Sequence, residues 1–274
     1  MKERTTEIDH KRMRCTLFDS QHEARTLTRS AVEQRDRWRK EWVGIDREGA
    51  YKRFETGDNS LVPASDEMIS KLEGKFDFPT SRYSVFDDVA GGVPNVPAML
   101  ANQPLNMRVR RRVADEAAPL TICIDLTSSA VIGAPYLLKR GAAILALARI
   151  LSGTRPVNIW LGAGLSEGHG TAGSTAWFQL DAAPLDLARA AFQISSASVP
   201  RGMLYAYLHE ANGCGGGFPM RDVDKWRRMA PMFLAQWFEG EIMFVPPVFA
   251  EDDFKNPDVW LEQMVKQYGR RDQE

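Results

Sequence analysis

The sequence predicts an α/β fold in which a mostly parallel central sheet is covered by helices and preceded by a helical N-terminal extension. After residue 119, short apolar runs alternate with longer helical segments, which is typical of a parallel sheet covered on both faces. Residues 1–56 are densely charged, and Ser20 to Gly44 contain neither proline nor internal glycine, which favours helix. Residues 79–106 are rich in proline and glycine and indicate a connector. We therefore expect a helical region at 1–78, a connector with an edge strand at 79–118, and an α/β domain at 119–274.

The N-terminal third is expected to hold three helices and a strand. The first helix covers residues 20–44, where Ala24, Leu27 and Ala31 fall at helical spacing. The second and third helices are expected at residues 45–57 and 64–76. Strict alternation in MRVRRRVAD, residues 107–115, indicates a strand.

The rest of the chain is expected to alternate between strands and helices. Apolar runs predict strands at 119–125, 155–165, 174–181 and 241–247. Helical patterns predict helices at 136–153, 184–195, 200–213, 224–238 and 256–269. In the last of these, Asn256 stands at the cap position and Pro257 in the first turn.

Composition and charge narrow the function classes. The 274 residues are 44% hydrophobic and 26% charged, with a formal net charge of −1, so overall charge indicates neither a nucleic-acid nor a membrane binder. Three widely spaced cysteines indicate a cytoplasmic protein without a disulfide framework, and apolar runs are too short for a membrane span. No nucleophile–base pair is recognisable, so we expect no catalytic residues and no enzyme activity. The sequence leaves the oligomeric state open.

The stretch ICIDLTSSA, residues 122–130, is the first candidate site. An apolar strand ends at Asp125, and Thr127 and Ser129 follow at alternate positions. In open α/β sheets, ligands bind where strands end and loops begin. A carboxylate and two hydroxyls can bind magnesium or manganese. The same residues can instead cap the following helix or satisfy loop amides, and both interpretations stay open.

The strand, Asp-x-Thr-x-Ser, the helix RGAAILALARIL and the strand PVNIWL together resemble the beginning of a von Willebrand factor type A domain. The resemblance implies a Rossmann-like α/β domain that uses a divalent metal to bind a protein partner, and an ATPase is the expected partner. It implies Asp125, Thr127 and Ser129 as metal ligands, with threonine where the family usually has serine. Thr171 and Asp181 are candidates for the two distant ligands by chain order.

Basic residues interleaved with aromatic ones form the second candidate site. This pairing is typical of single-stranded nucleic acid binding, because cations follow phosphates while aromatic rings stack on bases. Tryptophans at helical spacing are also common core anchors beside solvated arginines, and that alternative stays open. The candidate DNA-binding residues are Arg35, Arg37, Trp38, Arg39, Lys40, Trp42, Lys52, Arg53, Arg108, Arg110, Arg112, Lys225, Arg227 and Arg228.

The segment VPNVPAMLANQPLNM, a following strand and the helix KRGAAILALARIL are similar to a family of uncharacterised phage proteins. This resemblance implies an early phage protein, such as a single-stranded-DNA-binding cofactor of an RNA polymerase. The hypothesis from the sequence is therefore a non-enzymatic DNA-binding transcription cofactor in the host cytoplasm. A metal-dependent, type A-like protein-interaction module is the alternative.

Overall fold

The strands that the structure describes form one large mixed sheet and one small antiparallel sheet. The structure is a computed structural model, and it describes residues 1–8, 11–35, 38–63, 66–67, 70, 83–89, 93–101, 103–112, 119–152, 155–166, 172–180, 186–211, 218–219, 223–250 and 255–268. Its strands are β1 Lys2–Ile8, β2 Lys11–Phe18, β3 Tyr83–Asp88, β4 Val93–Pro94, β5 Met107–Arg112, β6 Leu120–Asp125, β7 Val157–Ser166, β8 Ala172–Leu180, β9 Phe218–Pro219 and β10 Glu241–Val245.

Helices make up most of the rest of the described chain. They are α1 Gln21–Arg35, α2 Lys40–Val43, α3 Arg47–Thr56, α4 Val96–Leu100, α5 Ala134–Ser152, α6 Leu187–Ser195, α7 Tyr205–Ala211, α8 Val223–Leu234 and α9 Pro257–Tyr268. A 3-10 turn lies at Asn59–Leu61, and a π-helix at Ser198–Leu204 runs directly into α7. None of the helices in the described ranges combines the length and apolar character needed to cross a bilayer.

The large sheet has the order β1-β2-β8-β7-β6-β10, with β9 paired to β7. Strand β6 runs parallel to both of its neighbours, β7 and β10, and β2 runs parallel to β8. The pairs β1–β2, β7–β8 and β7–β9 are antiparallel. The expectation of a mostly parallel sheet covered by helices is confirmed. Every residue of β6 is buried, as expected for a strand covered on both faces.

Helices cover both faces of this sheet and divide the core in two. Successive side chains of a strand point to opposite faces, so Ile122 and Ile124 belong to one cluster and Cys123 to the other. The larger cluster packs the sheet against α1, α3, α5, α6, α7 and α9. The smaller cluster packs the opposite face against α8, through Trp226 and Phe233. The result is a three-layer arrangement.

The prediction of helix at the start of the chain is wrong for residues 2–18. These residues form the hairpin β1–β2, and β2 joins the large sheet beside β8. Met13, Cys15 and Leu17 are buried on one face with a period of two, which is the pattern of a strand. The charged residues of β1 and of the start of β2 obscured this pattern, and Thr16 and Phe18 on the other face are buried as well. The N-terminal segment therefore belongs to the sheet, and helices begin only at α1.

The other predicted elements of the described chain are largely confirmed. Helices α1, α3, α5, α6, α8 and α9 and strands β5, β6, β7, β8 and β10 lie where the patterns placed them. The helix expected at 200–213 is divided between the π-helix and α7. Strand β5 is the middle strand of the small sheet, in the order β3-β5-β4, and is not an edge strand. The helix expected at 64–76 lies mostly outside the described residues.

Candidate functional site

The candidate site lies where β6 and β10 end side by side. Residues 126–133, which we call the carboxyl-edge loop, connect β6 to α5. The amide of Val248 donates to the Thr127 carbonyl at 3.0 Å, and the amide of Ser129 donates to the Val248 carbonyl at 2.9 Å. The loops after two parallel neighbouring strands are therefore joined by backbone hydrogen bonds. Ligands of open α/β sheets bind at such an edge.

Asp125 is an internal anchor of this edge, with only 1% of its surface exposed. Its Oδ1 accepts a hydrogen bond from the Thr127 amide at 2.9 Å, and its Oδ2 accepts one from Trp226 Nε1 at 2.8 Å. Burial raises the pKa of Asp125 above its ordinary value, while these hydrogen bonds and the nearby Arg140 cation act in the opposite direction. Its contacts are those of a residue that orders the loop and holds α8 to the sheet.

Arg140 of α5 ties the ends of β6 and β10 together from within. Its Nη2 donates to the Asp125 carbonyl at 2.9 Å and to the Pro246 carbonyl at 2.8 Å. Burial lowers the pKa of Arg140 to about 10. Because that value remains well above neutral pH, the guanidinium stays charged. It therefore places a positive charge inside the protein, directly beneath the carboxyl-edge loop.

Arg201 of the π-helix organises the loop from its other side. Its Nη2 donates to the Ser129 carbonyl at 2.5 Å, and longer contacts reach Ser128 Oγ at 3.3 Å and the Ile132 carbonyl at 3.4 Å. Its Nη1 donates to the Trp42 carbonyl at 3.2 Å, which joins α2 to the loop. Burial lowers the pKa of Arg201. π-helices are rare and recur at functional sites, and this one supplies the group that places two surface segments side by side.

Asp125 and Thr127, two of the residues predicted to hold magnesium, already have hydrogen-bond partners within the protein. Both carboxylate oxygens of Asp125 already accept N–H donors, and Thr127 Oγ1 accepts the Gly164 amide at 3.2 Å. The Arg201 cation contacts the carbonyl of Ser129, which disfavours a divalent cation there. Among the described residues, no group of three or more His, Cys, Asp or Glu side chains could hold a metal. Thr171 and Asp181 lie outside the described residues.

The aromatic residues of the predicted DNA-binding cluster are mostly engaged in the core. Tyr51 and Phe54 are buried. Trp38 is half-buried: its Nε1 donates to the Ile45 carbonyl at 2.8 Å, and its ring lies against Gly202, where an added Cβ would come within 2.5 Å. Trp42 is 39% exposed, and its ring centroid lies 6.2 Å from that of Tyr205. Of these four rings, Trp42 is the one best placed to stack on a base.

Five of the predicted basic residues are exposed in the described part of the chain, and they are distributed over α2, α3 and α8. Arg39 and Lys40 are exposed at the start of α2, close to Trp42. Lys52 and Arg53 are exposed on α3, and Arg53 Nη1 pairs with Asp58 Oδ2 at 2.6 Å. Arg228 is exposed on α8. Arg37 lies outside the described residues, as do the side chains of Arg35, Arg108, Arg110, Arg112, Lys225 and Arg227.

Sequence reasoning missed the two buried arginines of this site. Arg140 stands among apolar residues on the most buried helix, and a lone cation in that position signals an internal partner. Arg201 carries no such signal, because its partners are backbone carbonyls 69 to 159 residues away in the chain. Trp226 was singled out only as an aromatic residue beside arginines. Its donation to Asp125 depends on how α8 packs on the sheet.

The sequence pattern of a domain of unknown function, DUF7192, matches residues 7–269. The chain belongs to this family. No curated protein and no solved structure matches the chain. The family match extends from the last two residues of β1 to the end of α9, so β2, the other strands of the large sheet and the carboxyl-edge loop are parts of one family domain.

Proposed function

We propose that this protein is a non-enzymatic protein-interaction module that acts in the cytoplasm and binds its partner at the carboxyl edge of the large sheet. The observation that carries the proposal is the contact of one buried guanidinium, that of Arg201, with both α2 and the carboxyl-edge loop. This contact joins two segments that each carry an exposed apolar side chain, Trp42 at 39% and Val131 at 79% exposure. Tryptophan is enriched at the energetic centres of protein interfaces, and a rigid support limits the entropy lost on binding.

The partner expected from this surface is a protein with an acidic docking segment. Arg39 and Lys40 are exposed within three residues of Trp42, and with the exposed Glu41 beside the ring they leave a border with one positive charge in excess. A positive rim around an apolar centre favours a partner with acidic residues around an apolar anchor. The type A resemblance adds an ATPase as the expected class of partner.

The order of elements around the site supports a type A-like identity. The chain runs from β6 through the carboxyl-edge loop into α5 and then into β7, which lies parallel to β6. This is the strand, loop, helix and strand order on which the resemblance rests. Magnesium dependence stays a prediction of that resemblance. Calorimetric titration of the protein with magnesium tests it, and Asp125→Ala should abolish any binding that belongs to this site.

Fluorescence anisotropy with a labelled amphipathic peptide of glutamate and leucine tests the interaction surface. We expect Val131→Asp to weaken binding about tenfold, because it places a carboxylate where an acidic apolar segment docks. Met232→Asp is the control, since Met232 is 70% exposed in the last turn of α8, six residues after the Trp226 that reaches Asp125, and therefore lies farther from the carboxyl edge. Equal binding by the wild type and the Val131 variant, or an equal loss in both variants, contradicts the proposed surface.

Single-stranded DNA binding, as a phage RNA polymerase cofactor, is the second candidate function. The observation in its favour is the joint exposure of Arg39, Lys40 and Trp42. Such a site combines two phosphate contacts with one stacking ring, and one stacked base contributes about 1–3 kcal/mol. The burial of Tyr51 and Phe54 leaves fewer rings for bases than the sequence suggested, which is why this function ranks second.

Gel shifts with single- and double-stranded oligonucleotides at several salt concentrations separate the two functions. DNA binding predicts a preference for single strands, an affinity that falls with salt, and a loss in Trp42→Ala. A Val131→Ser variant, which removes the apolar side chain without adding a charge, should then keep most of its DNA affinity, since Val131 is not among the candidate DNA contacts. Without single-strand preference or salt dependence, the DNA-binding function is rejected.

A further inference from the structure

A pocket of about 260 Å³ lies where three helices meet on the large sheet. The first turns of α1, the last turn of α3 and the first turn of α6 form its walls. Since β2 leads directly into α1 and runs opposite to β6, the pocket lies at the other edge of the sheet from the carboxyl-edge loop. It is therefore separate from the surface proposed above.

The pocket has room for a small molecule and not only for a single water. A site needs roughly 10–15 Å³ of such volume to hold one water. Drug-sized ligands occupy pockets of about 300–1,000 Å³, so this one is suited to a smaller ligand. The ring of Phe54 closes its inner wall, while Gln21, Arg25 and Arg189 supply polar and cationic side chains.

Neighbouring hydrogen bonds fix the orientation of the Gln21 side chain. The buried Gln193 donates from Nε2 to the Phe54 carbonyl at 2.8 Å, so the amide nitrogen of Gln193 must face that carbonyl. The same nitrogen donates to Gln21 Oε1 at 3.0 Å. The oxygen of Gln21 is thereby occupied, and its Nε2 is left as a donor. That nitrogen is buried and has no acceptor among the described residues.

Arg25 adds a second donor to the same pocket. It lies four residues after Gln21, so both side chains project from one face of α1. One Nη of Arg25 pairs with Glu55 Oε2 at 3.3 Å, but its Nε is buried without an acceptor among the described residues. A buried donor that lacks an acceptor is unfavourable, so two of them around one pocket point to an acceptor that the described part of the protein does not supply.

The charge of the pocket selects the class of ligand. Arg25 and Arg189 bring two guanidinium groups, Glu55 brings one carboxylate, and His22 is also part of the wall. Arg189 also interacts with another group of the protein, so the proposed contacts are those of Gln21 and Arg25. Guanidinium groups match the geometry of carboxylate and phosphate oxygens. We propose that this pocket binds a small oxyanion, a carboxylate or a phosphate group, which accepts hydrogen bonds from Gln21 Nε2 and Arg25 Nε.

Isothermal titration of the full-length protein with sodium phosphate and with sodium acetate tests the proposal, with chloride used to match ionic strength. We expect saturable binding of at least one anion and a rise in the unfolding temperature with its concentration. Arg25→Gln should weaken binding about tenfold, because a charge-assisted hydrogen bond is lost. Gln21→Glu should also weaken it, since a carboxylate can still accept from Gln193 but repels an anion.

Two matched variants separate anion binding from the loss of an ion pair. Glu55→Gln breaks the same pair with Arg25 but removes a negative charge. The affinity of this variant for the anion should therefore stay equal or increase. Arg29→Gln makes the same charge change one turn later, where Arg29 pairs with Glu33 and Glu48, and its affinity should not change. Preference for phosphate identifies a phosphate ligand, and preference for acetate a carboxylate. Absence of saturation with both anions, or wild-type affinity in Arg25→Gln, overturns the proposal.

Discussion

Replacing Trp226 by phenylalanine isolates the hydrogen bond that the indole donates to the buried Asp125 carboxylate. The bond spans 2.8 Å, and the indole packs against Phe233 and Phe244. Phenylalanine keeps an aromatic ring in this cluster but has no N–H donor. Because hydrogen bonds to charged groups contribute about 1.5–3 kcal/mol, we expect the free energy of unfolding to fall by that amount beyond the effect of the smaller ring.

Trp177→Phe is the matched control for the lost ring volume. Trp177 is also buried in the same cluster, but its Nε1 has no acceptor among the residues that the structure describes. Both substitutions leave a similar cavity, while only the one at Trp226 removes a hydrogen bond. Urea unfolding followed by circular dichroism gives the difference between the two variants.

The difference in the free energy of unfolding between the Trp226 and Trp177 variants should depend on pH if the lost hydrogen bond is the one to Asp125. Burial raises the pKa of Asp125 in the folded protein above that in the unfolded chain. The contribution of Asp125 to stability therefore decreases as pH rises from the unfolded-state pKa through the folded-state pKa. Loss of the indole donor raises the folded pKa further. The free energies of unfolding of the two variants should therefore differ least near pH 4, where the Asp125 carboxyl is protonated, and most at higher pH. Equal losses at every pH, or a larger difference in acid, refute the reasoning.

Three further predictions concern other parts of the core. Arg201→Ala should lower the free energy of unfolding by about 2–4 kcal/mol, because several carbonyls lose their donor, and should speed amide hydrogen exchange in the carboxyl-edge loop but not in β7. Gly162→Ala should be destabilising by about 1–3 kcal/mol in urea unfolding, since the added Cβ would come within 2.2 Å of the Trp177 ring. Burial raises the pKa of Cys15 to about 12 and also raises that of Cys123, so mass mapping should find both thiols alkylated at neutral pH only after unfolding.

The elements predicted best are those whose burial pattern is local. The apolar run of β6 and the long apolar helix α5 are each recognisable within their own residues, and the structure confirms them. The prediction of helix for residues 2–18 was wrong because the high charge density of this segment favoured a helix and hid the alternating pattern of a strand. In β2, Met13, Cys15 and Leu17 pack in the smaller cluster, while Thr16 and Phe18 are buried on the opposite face, so burial on both faces blurs the alternation. A period of two in a charged segment is a weak signal over eight residues.

The strand and loop in the sequence predicted where the candidate site lies, but they did not predict which groups its residues contact. Asp125 was recognised as a special residue at the end of β6, and its partners Thr127 and Trp226 are now known. The basic clusters show the opposite case. Rings that look available in the sequence, such as Tyr51 and Phe54, point into the core once α3 packs on the sheet.

The sequence by itself determined much of the local structure of this protein: most strands and helices after residue 119, and the polar loop that follows β6. Periodicity and turn residues act over a few positions, so they are visible without the fold. Only the tertiary structure decided which polar groups meet. Arg201 reaches Trp42 across 159 residues, and Trp226 reaches Asp125 across 101. A buried polar group takes its partners from whatever elements pack around it, and that packing depends on the whole chain.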